Sequence, residues 1–117
     1  MNYVAPAKRP RETTTFDRRL TKRLLDAAHA TWGVRPNIIQ WGGRQHSVLR
    51  PRWAVMYALR QLDWSYPRIG HLFEMDHTTV MNAVAKCQAL MDENPVYRDL
   101  VNAMALYAQQ QRVVLNG

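Results

Sequence analysis

Cysteine is nearly absent from this sequence, and long apolar runs are absent altogether. The chain has one cysteine, Cys87, among 117 residues, so no disulfide can form within it. No apolar stretch approaches the ~20 residues that span a bilayer, and the charged N-terminus is not followed by the hydrophobic segment of a secretory signal. These absences argue against a secreted disulfide scaffold and a membrane protein, and they favour a bacterial-type cytoplasm as the compartment.

Acidic residues are also scarce, especially in the first half of the chain. Nine Asp and Glu face sixteen Lys and Arg, and thirteen of these bases are arginine. Residues 1–60 hold twelve bases and three acids, and no acid lies between Asp26 and Asp63. Arginine carries a planar fork that matches phosphate and guanine edges, so this positive charge favours a nucleic-acid partner. A basic protein without such a partner is the alternative that charge alone leaves open.

Length and composition predict one folded domain behind a short tail. Apolar residues make up 47% of the chain and charged residues 21%, an ordinary globular balance. Pro6 and Pro10 interrupt regular structure among several bases, so residues 1–13 are expected to form a flexible basic tail. Residues 14–113 are expected to form a single helical DNA-binding domain.

Apolar residues recur at helical spacing throughout that domain, and no segment has the alternation of a strand. The expected fold class is therefore all-α, with about six helices that include a helix-turn-helix. Arg52, Met56 and Arg60 are predicted to share one surface of the third helix. Caps, prolines and glycines place the helices over residues 14–31, from Pro36 to Gly42-Gly43, from between Val48 and Pro51, from Ser65-Tyr66-Pro67 to Phe73, after Asp76, and after Asn94-Pro95.

The short helix, tight turn and longer helix around Asp76 have the order of a helix-turn-helix. In that motif the first turn of the second helix faces base edges in the major groove. The residues at this turn are Asp76, His77, Thr78 and Thr79, whose side chains can accept, donate and contact a thymine methyl. By themselves, however, these four residues indicate only the start of a helix.

Three sequence blocks stand out beside the helix-turn-helix pattern: Ser47-Val48-Leu49-Arg50-Pro51-Arg52, Ser65-Tyr66-Pro67-Arg68-Ile69-Gly70 and Asp76-His77-Thr78-Thr79-Val80. Together they resemble the C-terminal DNA-binding domain of the bacterial replication initiator DnaA, a Trp-repressor-like helix-turn-helix. They stand in the family's order and nearly at its spacing, and the similarity covers roughly residues 15–110. The resemblance implies sequence-specific binding of double-stranded DNA at a site like a DnaA box.

The resemblance also implies roles for four arginines in the acid-free part of the chain. Arg44 falls where the family has an arginine that enters the minor groove. Arg52 and Arg60 fall where basic residues of the long helix touch DNA. Arg50, in the first of the three blocks, is expected to contact DNA as well.

The remaining implied contacts come from the helix-turn-helix itself. Tyr66 and Pro67 begin the helix that meets the DNA backbone in this family. The base-reading residues are implied to be Asp76, His77 and Thr78, with Thr79 beside them.

Two positions depart from the family pattern. A turn of the Gly-Gly-Arg type usually precedes the aspartate, but here it is Glu74-Met75, one residue shorter and without the arginine. Trp53 also replaces a polar residue that commonly follows the Arg52 position. Loss of a phosphate-binding arginine and gain of an acid are expected to weaken binding or tilt the recognition helix, so the target is not expected to be an unaltered DnaA box.

Catalysis is not expected. The sequence has no Gly-x-x-x-x-Gly-Lys-Ser/Thr phosphate loop, so the chain is interpreted as a free-standing DNA reader without an ATPase domain. The four histidines have no zinc-binding spacing, and Cys87 lies on a predicted core face. Neither a metal nor a cofactor is therefore expected.

Two alternatives stay open from the sequence. The four tryptophans could form a partner surface if some are exposed, so a protein-interaction module with a degenerate helix-turn-helix is the alternative function. Within DNA binding, the chain could regulate transcription, for instance on a phage or mobile element, or occupy origin boxes and modulate replication.

Overall fold

Six helices build the part of the protein that a computed structural model describes, residues 13–116. No strand occurs in that range, so the predicted all-α fold is confirmed. The tail predicted for residues 1–13 lies, apart from Thr13, outside the described residues. The helices are α1 (Thr15–Trp32), α2 (Pro36–Trp41), α3 (His46–Gln61), α4 (Tyr66–Phe73), α5 (His77–Glu93) and α6 (Pro95–Asn116).

Local side-chain chemistry sets most of the helix ends. The side-chain oxygens of Thr14, Ser65 and Asp76 accept hydrogen bonds of 3.0, 3.2 and 3.3 Å from backbone N–H groups in the first turns of α1, α4 and α5. These bonds satisfy donors that have no partner inside the helix. Gly33 ends α1 in the left-handed conformation, with φ of 75°. Each of these ends agrees with the sequence-based prediction.

The start of α3 differs from the prediction. The helix begins at His46 and not between Val48 and Pro51, so Pro51 lies inside the helix and is buried. A proline there has no N–H to donate to the carbonyl of Ser47, four residues earlier. The tertiary packing of α3 therefore overrides the usual preference of proline for the first helical position.

α3 lies at the centre of the fold, in contact with each of the other five helices. Val55, Met56 and Leu59 are fully buried on it, and Arg52 is almost fully buried. The prediction of a surface shared by Arg52, Met56 and Arg60 is thus wrong for the first two. A helix that packs on several sides buries a wider face than the single stripe of a surface helix.

Three residues join α4 to α5: Glu74 and Met75 form the turn, and Asp76 caps α5. Glu74 ends α4 with a φ of 53°, and the N–H of Met75 donates to the carbonyl of Gly70 at 2.9 Å. A side-chain carbon on Gly70 would collide with the carbonyl oxygen of Met75. Glycine at this position therefore allows the turn to fold tightly against α4.

An ion pair holds α4 against α1. Arg68 donates to both carboxylate oxygens of Asp17, at 2.7 and 3.0 Å, and Asp17 is buried. The guanidinium of Arg68 also stacks over the ring of Trp64, 3.8 Å from its centre. The start of α4 is thereby fixed in position. No helix within residues 13–116 has the length and hydropathy needed to cross a bilayer.

Candidate nucleic-acid interface

The first turn of α5 is presented to solvent. Asp76, His77, Thr78 and Thr79 are all exposed, whereas Val80 immediately after them is fully buried and anchors the turn to the core. Asp76 caps the helix through the backbone N–H of Thr78, and its other carboxylate oxygen lies 3.5 Å from Nδ1 of His77. The four predicted base-reading residues therefore form one continuous exposed edge.

A groove of about 520 Å³ runs beside this edge, between α3 and α5. Thr79, Asn82 and Lys86 line it from α5, at the three- and four-residue spacing that places side chains on one helix face. Asn82 and Lys86 were not among the residues predicted from the sequence. Their spacing from Thr79 was the signal that could have identified them.

Arg44 lines the same groove from the opposite side. It is exposed in the loop between α2 and α3, and Lys86 adds a second positive charge to the groove. The structure thus brings together a predicted minor-groove arginine and the predicted base-reading helix, which are separated by about thirty residues of sequence. The direct contact of each with DNA stays a prediction.

Arg52 does not belong to the accessible part of this surface. Its side chain donates to four backbone carbonyls, those of Ile38, Ile39, Gly42 and Gly43, at distances from 2.6 to 3.4 Å. Burial lowers the pKa of the guanidinium from its ordinary value, although arginine keeps its charge at neutral pH. These four hydrogen bonds hold the guanidinium on the protein, and a direct contact between Arg52 and DNA stays a prediction.

Arg60, Tyr66 and Pro67 form a neighbouring patch at the start of α4. Arg60 donates from Nη1 to the carbonyl of Trp64 at 2.9 Å, and its guanidinium lies over the ring of Tyr66, 4.3 Å from the ring centre. Arg60 and Tyr66 are half-buried and Pro67 is exposed. The patch has the charge and exposure that a contact to the DNA backbone requires, and the contact itself stays a prediction.

Arg50 lies apart from the groove beside α5. It is exposed near the start of α3 and borders a second groove of about 280 Å³ with Trp32 and Tyr97. The hydroxyl of Tyr97 donates to the Arg50 carbonyl at 2.7 Å. A contact from Arg50 to DNA therefore has to come from a different part of the surface than that of Arg44.

Both departures from the family pattern face the groove beside α5. Trp53 lines it from α3 and Glu74 from the turn, and Glu74 is exposed. The positive charges of Arg44 and Lys86 therefore share the groove with the carboxylates of Glu74 and Asp76. The surface next to the predicted base-reading turn is consequently of mixed charge.

Known proteins resemble the chain along this region. A family model described as the bacterial dnaA protein helix-turn-helix matches residues 21–87, a range that contains Arg44, the turn and the first part of α5. The chromosomal replication initiator protein DnaA of Deinococcus radiodurans is 36% identical over 104 residues, 88% of this chain and 21% of that protein. The DnaA proteins of Thermus thermophilus and Spiroplasma citri are 32% and 43% identical over 97 and 85 residues, 81% and 71% of this chain. The chain spans about a fifth of the length of these relatives.

Proposed function

The chain belongs to the bacterial DnaA helix-turn-helix family, and on that basis we propose that it binds double-stranded DNA in a sequence-specific manner through α5. One observation carries the proposal: Asp76 and Thr79, from the exposed first turn of α5, line a common groove with the exposed Arg44. A helix fits the major groove, which is about 12 Å wide. An arginine beside that helix can reach the adjacent minor groove or the phosphates.

Three side chains contact the base edges in this proposal. Asp76 accepts a hydrogen bond from a cytosine amine, His77 donates or accepts, and Thr78 offers both a hydroxyl and a methyl group. All three are exposed and mounted on a helix that Val80 anchors. Thr79 lies at the edge of the groove and is assigned to the neighbouring phosphate.

Contacts to the DNA backbone set the register of the complex. We assign these contacts to Arg44, Arg50, Arg60 and the Tyr66-Pro67 start of α4, because phosphate contacts orient a protein without reading sequence. The base-reading turn follows α4 after only Glu74 and Met75. Fixing α4 on the backbone therefore also fixes the depth at which α5 enters the major groove.

The target proposed for the chain differs from an unaltered DnaA box. Glu74 brings a carboxylate into the groove, where the family usually has an arginine-bearing turn. The bound site controls either replication initiation or transcription, on a bacterial chromosome or on a phage or mobile element. Either role places the protein in the bacterial cytoplasm or nucleoid.

A second candidate function is the binding of a protein partner at α2. Trp41 and Ile38 are 52% and 38% exposed on neighbouring turns of that helix, and exposed apolar patches commonly mark interaction sites. This candidate predicts no salt-sensitive retardation of duplex DNA. A DNA reader predicts retardation that weakens steeply as salt increases.

Selection of bound duplexes from a random library, followed by sequencing, tests the proposed function with the 117-residue chain itself. We expect one enriched motif, related to a DnaA box but changed at one or more positions. The His77→Ala variant serves as the control, and its enriched motif should lose preference at a particular base pair. Recovery of no motif, together with no retardation of duplex DNA, would contradict DNA binding by this chain.

A further inference from the structure

We propose that Arg52 is a positioning residue that fixes the loop from which Arg44 reaches DNA. The proposal rests on the proposed function, because it concerns the geometry of a DNA contact assigned to Arg44. Its evidence is separate, however: the burial and hydrogen bonds of Arg52 and the packing of the turn before Arg44.

Arg52 ties the end of α2 to the middle of the fold. Its Nε donates to the Ile39 carbonyl at 2.6 Å and its Nη2 to the Gly42 carbonyl at 2.8 Å. The carbonyls of Ile38 and Gly43 lie at 3.4 and 3.3 Å from its remaining N–H groups. The last carbonyls of a helix have no hydrogen-bond donors inside it. The buried guanidinium of Arg52 supplies such donors at the end of α2.

The turn next to this guanidinium has little freedom. The N–H of Gly42 donates to the Ile38 carbonyl at 2.7 Å, and a side-chain carbon on Gly42 would collide with that same oxygen. A side-chain carbon on Gly43 would lie 3.1 Å from the Gln45 amide oxygen, the flexible end of a side chain. Gly42 is therefore required by close approach, whereas Gly43 tolerates alanine.

Arg44 follows directly after this fixed turn and is itself exposed in the groove. Holding the backbone up to Gly43 lowers the entropy that the loop would lose when Arg44 meets DNA. Lysine cannot reproduce the arrangement, because an ammonium is a point donor and lacks the planar fork that reaches several carbonyls at once.

A double-mutant cycle on DNA affinity tests the proposal, using a duplex recovered by selection. We expect Arg44→Ala to weaken binding of the parent about tenfold. On the Arg52→Lys background we expect the same substitution to weaken binding less than about twofold, because the loop no longer holds Arg44 in place. Gly42→Ala should act like Arg52→Lys, and Gly43→Ala should leave the full effect of Arg44→Ala.

A control separates positioning from loss of stability. Met104 is buried on α6, away from the loop, and Met104→Ala lowers Tm by removing core contacts. The effect of Arg44→Ala should stay about tenfold on that background. A spin label on Arg44→Cys gives a second readout without DNA, since the native Cys87 is buried. Its mobility should rise on the Arg52→Lys background and stay unchanged with Met104→Ala.

The results distinguish this proposal from the proposed function. A parent that fails to bind any duplex contradicts both. If the parent binds and Arg44→Ala weakens binding as much on the Arg52→Lys background as in the parent, only the role of Arg52 is overturned. If Arg52→Lys does not fold, the cycle with Gly42→Ala and the spin label on that variant decide in the same way.

Discussion

Charge at the scale of single residues decides how well the groove beside α5 accepts a polyanion. Arg44 and Lys86 attract phosphates, whereas Glu74 and Asp76 repel them. Asp76 offsets its charge by capping α5, but Glu74 has no ion-pair partner within 4 Å among residues 13–116. Glu74 is therefore the residue at which removal of a charge should help binding.

Replacement of Glu74 by glutamine should strengthen DNA binding about two- to fivefold. The substitution removes one exposed carboxylate near the phosphates, and exposed charge pairs contribute up to about 1 kcal/mol. Glu93→Gln is the matched control, because Glu93 is an exposed acid at the far end of α5. Fluorescence anisotropy at fixed salt measures both. Equal gains from the two variants would show that only net charge matters.

His77 and Thr78 should determine base preference and not general affinity. Alanine at either position is expected to cost about 1–3 kcal/mol of discrimination at particular base pairs, because each removes a base-edge contact. Gln88→Ala, an exposed change further along α5, should leave preference intact. Competition binding with single-base variants of the selected site measures this discrimination. If the His77 variant binds every sequence as the parent does, α5 is not the reading helix.

At the scale of elements, the turn between α4 and α5 is set by backbone packing. The two helices meet where the Met75 carbonyl approaches Gly70 too closely for any side chain. The ion pair between buried Asp17 and partly exposed Arg68 then fixes α4 on α1. α4 and α5 consequently move as one body with the core, which suits a motif whose two helices must meet DNA together.

Gly70→Ala should destabilise the protein by about 1–3 kcal/mol, as overpacking does. Alanine in a helix interior ordinarily stabilises by up to about 1 kcal/mol relative to glycine. A loss of stability at Gly70 would therefore identify the collision with the Met75 carbonyl. Gly43→Ala, in an open loop, is the control and should be nearly neutral. Urea unfolding measures both. A Gly70→Ala variant as stable as the parent would mean that the turn relaxes freely.

Cys87 links α5 to α6 and should make stability depend on alkaline pH. Burial raises the pKa of its thiol from 9.0 to about 11, beside the Tyr97 hydroxyl at 3.5 Å. Because a raised folded-state pKa favours the neutral thiol, the thiol's contribution to the free energy of unfolding is complete below the unfolded-state pKa. That contribution is lost as pH rises towards about 11. Relative to Cys87→Ala, the parent should lose about 2 kcal/mol of unfolding free energy across that window. A constant difference between the two proteins would contradict this linkage.

Local chemistry explains which elements could be predicted from the sequence. Gly33, Ser65 and Asp76 act on neighbouring backbone groups, so the helix ends that they set were predicted correctly. The burial of Met56 and Arg52 depends on helices that pack around α3 from distant parts of the chain. The Asp17–Arg68 pair likewise joins residues 51 positions apart, and periodicity within one helix carries no information about such a contact.

The candidate site shows the same division between features set by neighbouring residues and features set by contacts between distant parts of the chain. The first turn of α5 was predicted to face base edges because its residues open the second helix of a helix-turn-helix, and the structure leaves them exposed. Arg44 and Lys86 come together only through the fold, so sequence reasoning found the first by resemblance and missed the second. Arg52 shows another limit: the resemblance assigned this arginine to DNA, and only the fold reveals that carbonyls at the end of α2 bind its guanidinium.

At the scale of the whole molecule, charge is distributed unevenly along the chain. Residues 1–60 carry nine more bases than acids, whereas residues 61–117 carry two more acids than bases. The proposed base-reading turn belongs to the acidic half, and Arg44, Arg50 and Arg60 belong to the basic half. In the proposed function, the affinity surface thus comes from one half of the chain and the reading surface from the other.

The logarithm of the binding constant for duplex DNA should fall linearly with the logarithm of salt concentration, with a slope of about −0.9 for each phosphate contacted. Arg44→Ala and Arg60→Ala should each lower the steepness by about one unit and weaken all sequences alike. Arg98→Ala is the control, because Arg98 lies beside Asp99 at 3.5 Å on α6. If the slope changes in neither the Arg44 nor the Arg60 variant, the phosphate contacts lie elsewhere.

The ion pair between Asp17 and Arg68 has a consequence for whatever precedes α1. Asp17 stands three residues after the cap of α1, and Arg68 follows directly on Pro67 at the proposed DNA-facing start of α4. Thr13 and Thr14, the described residues that lead into α1, are thus held close to the proposed backbone contact. A substitution that breaks the ion pair should therefore loosen the start of α4 on the proposed DNA backbone, while the side chains of the reading helix stay unchanged.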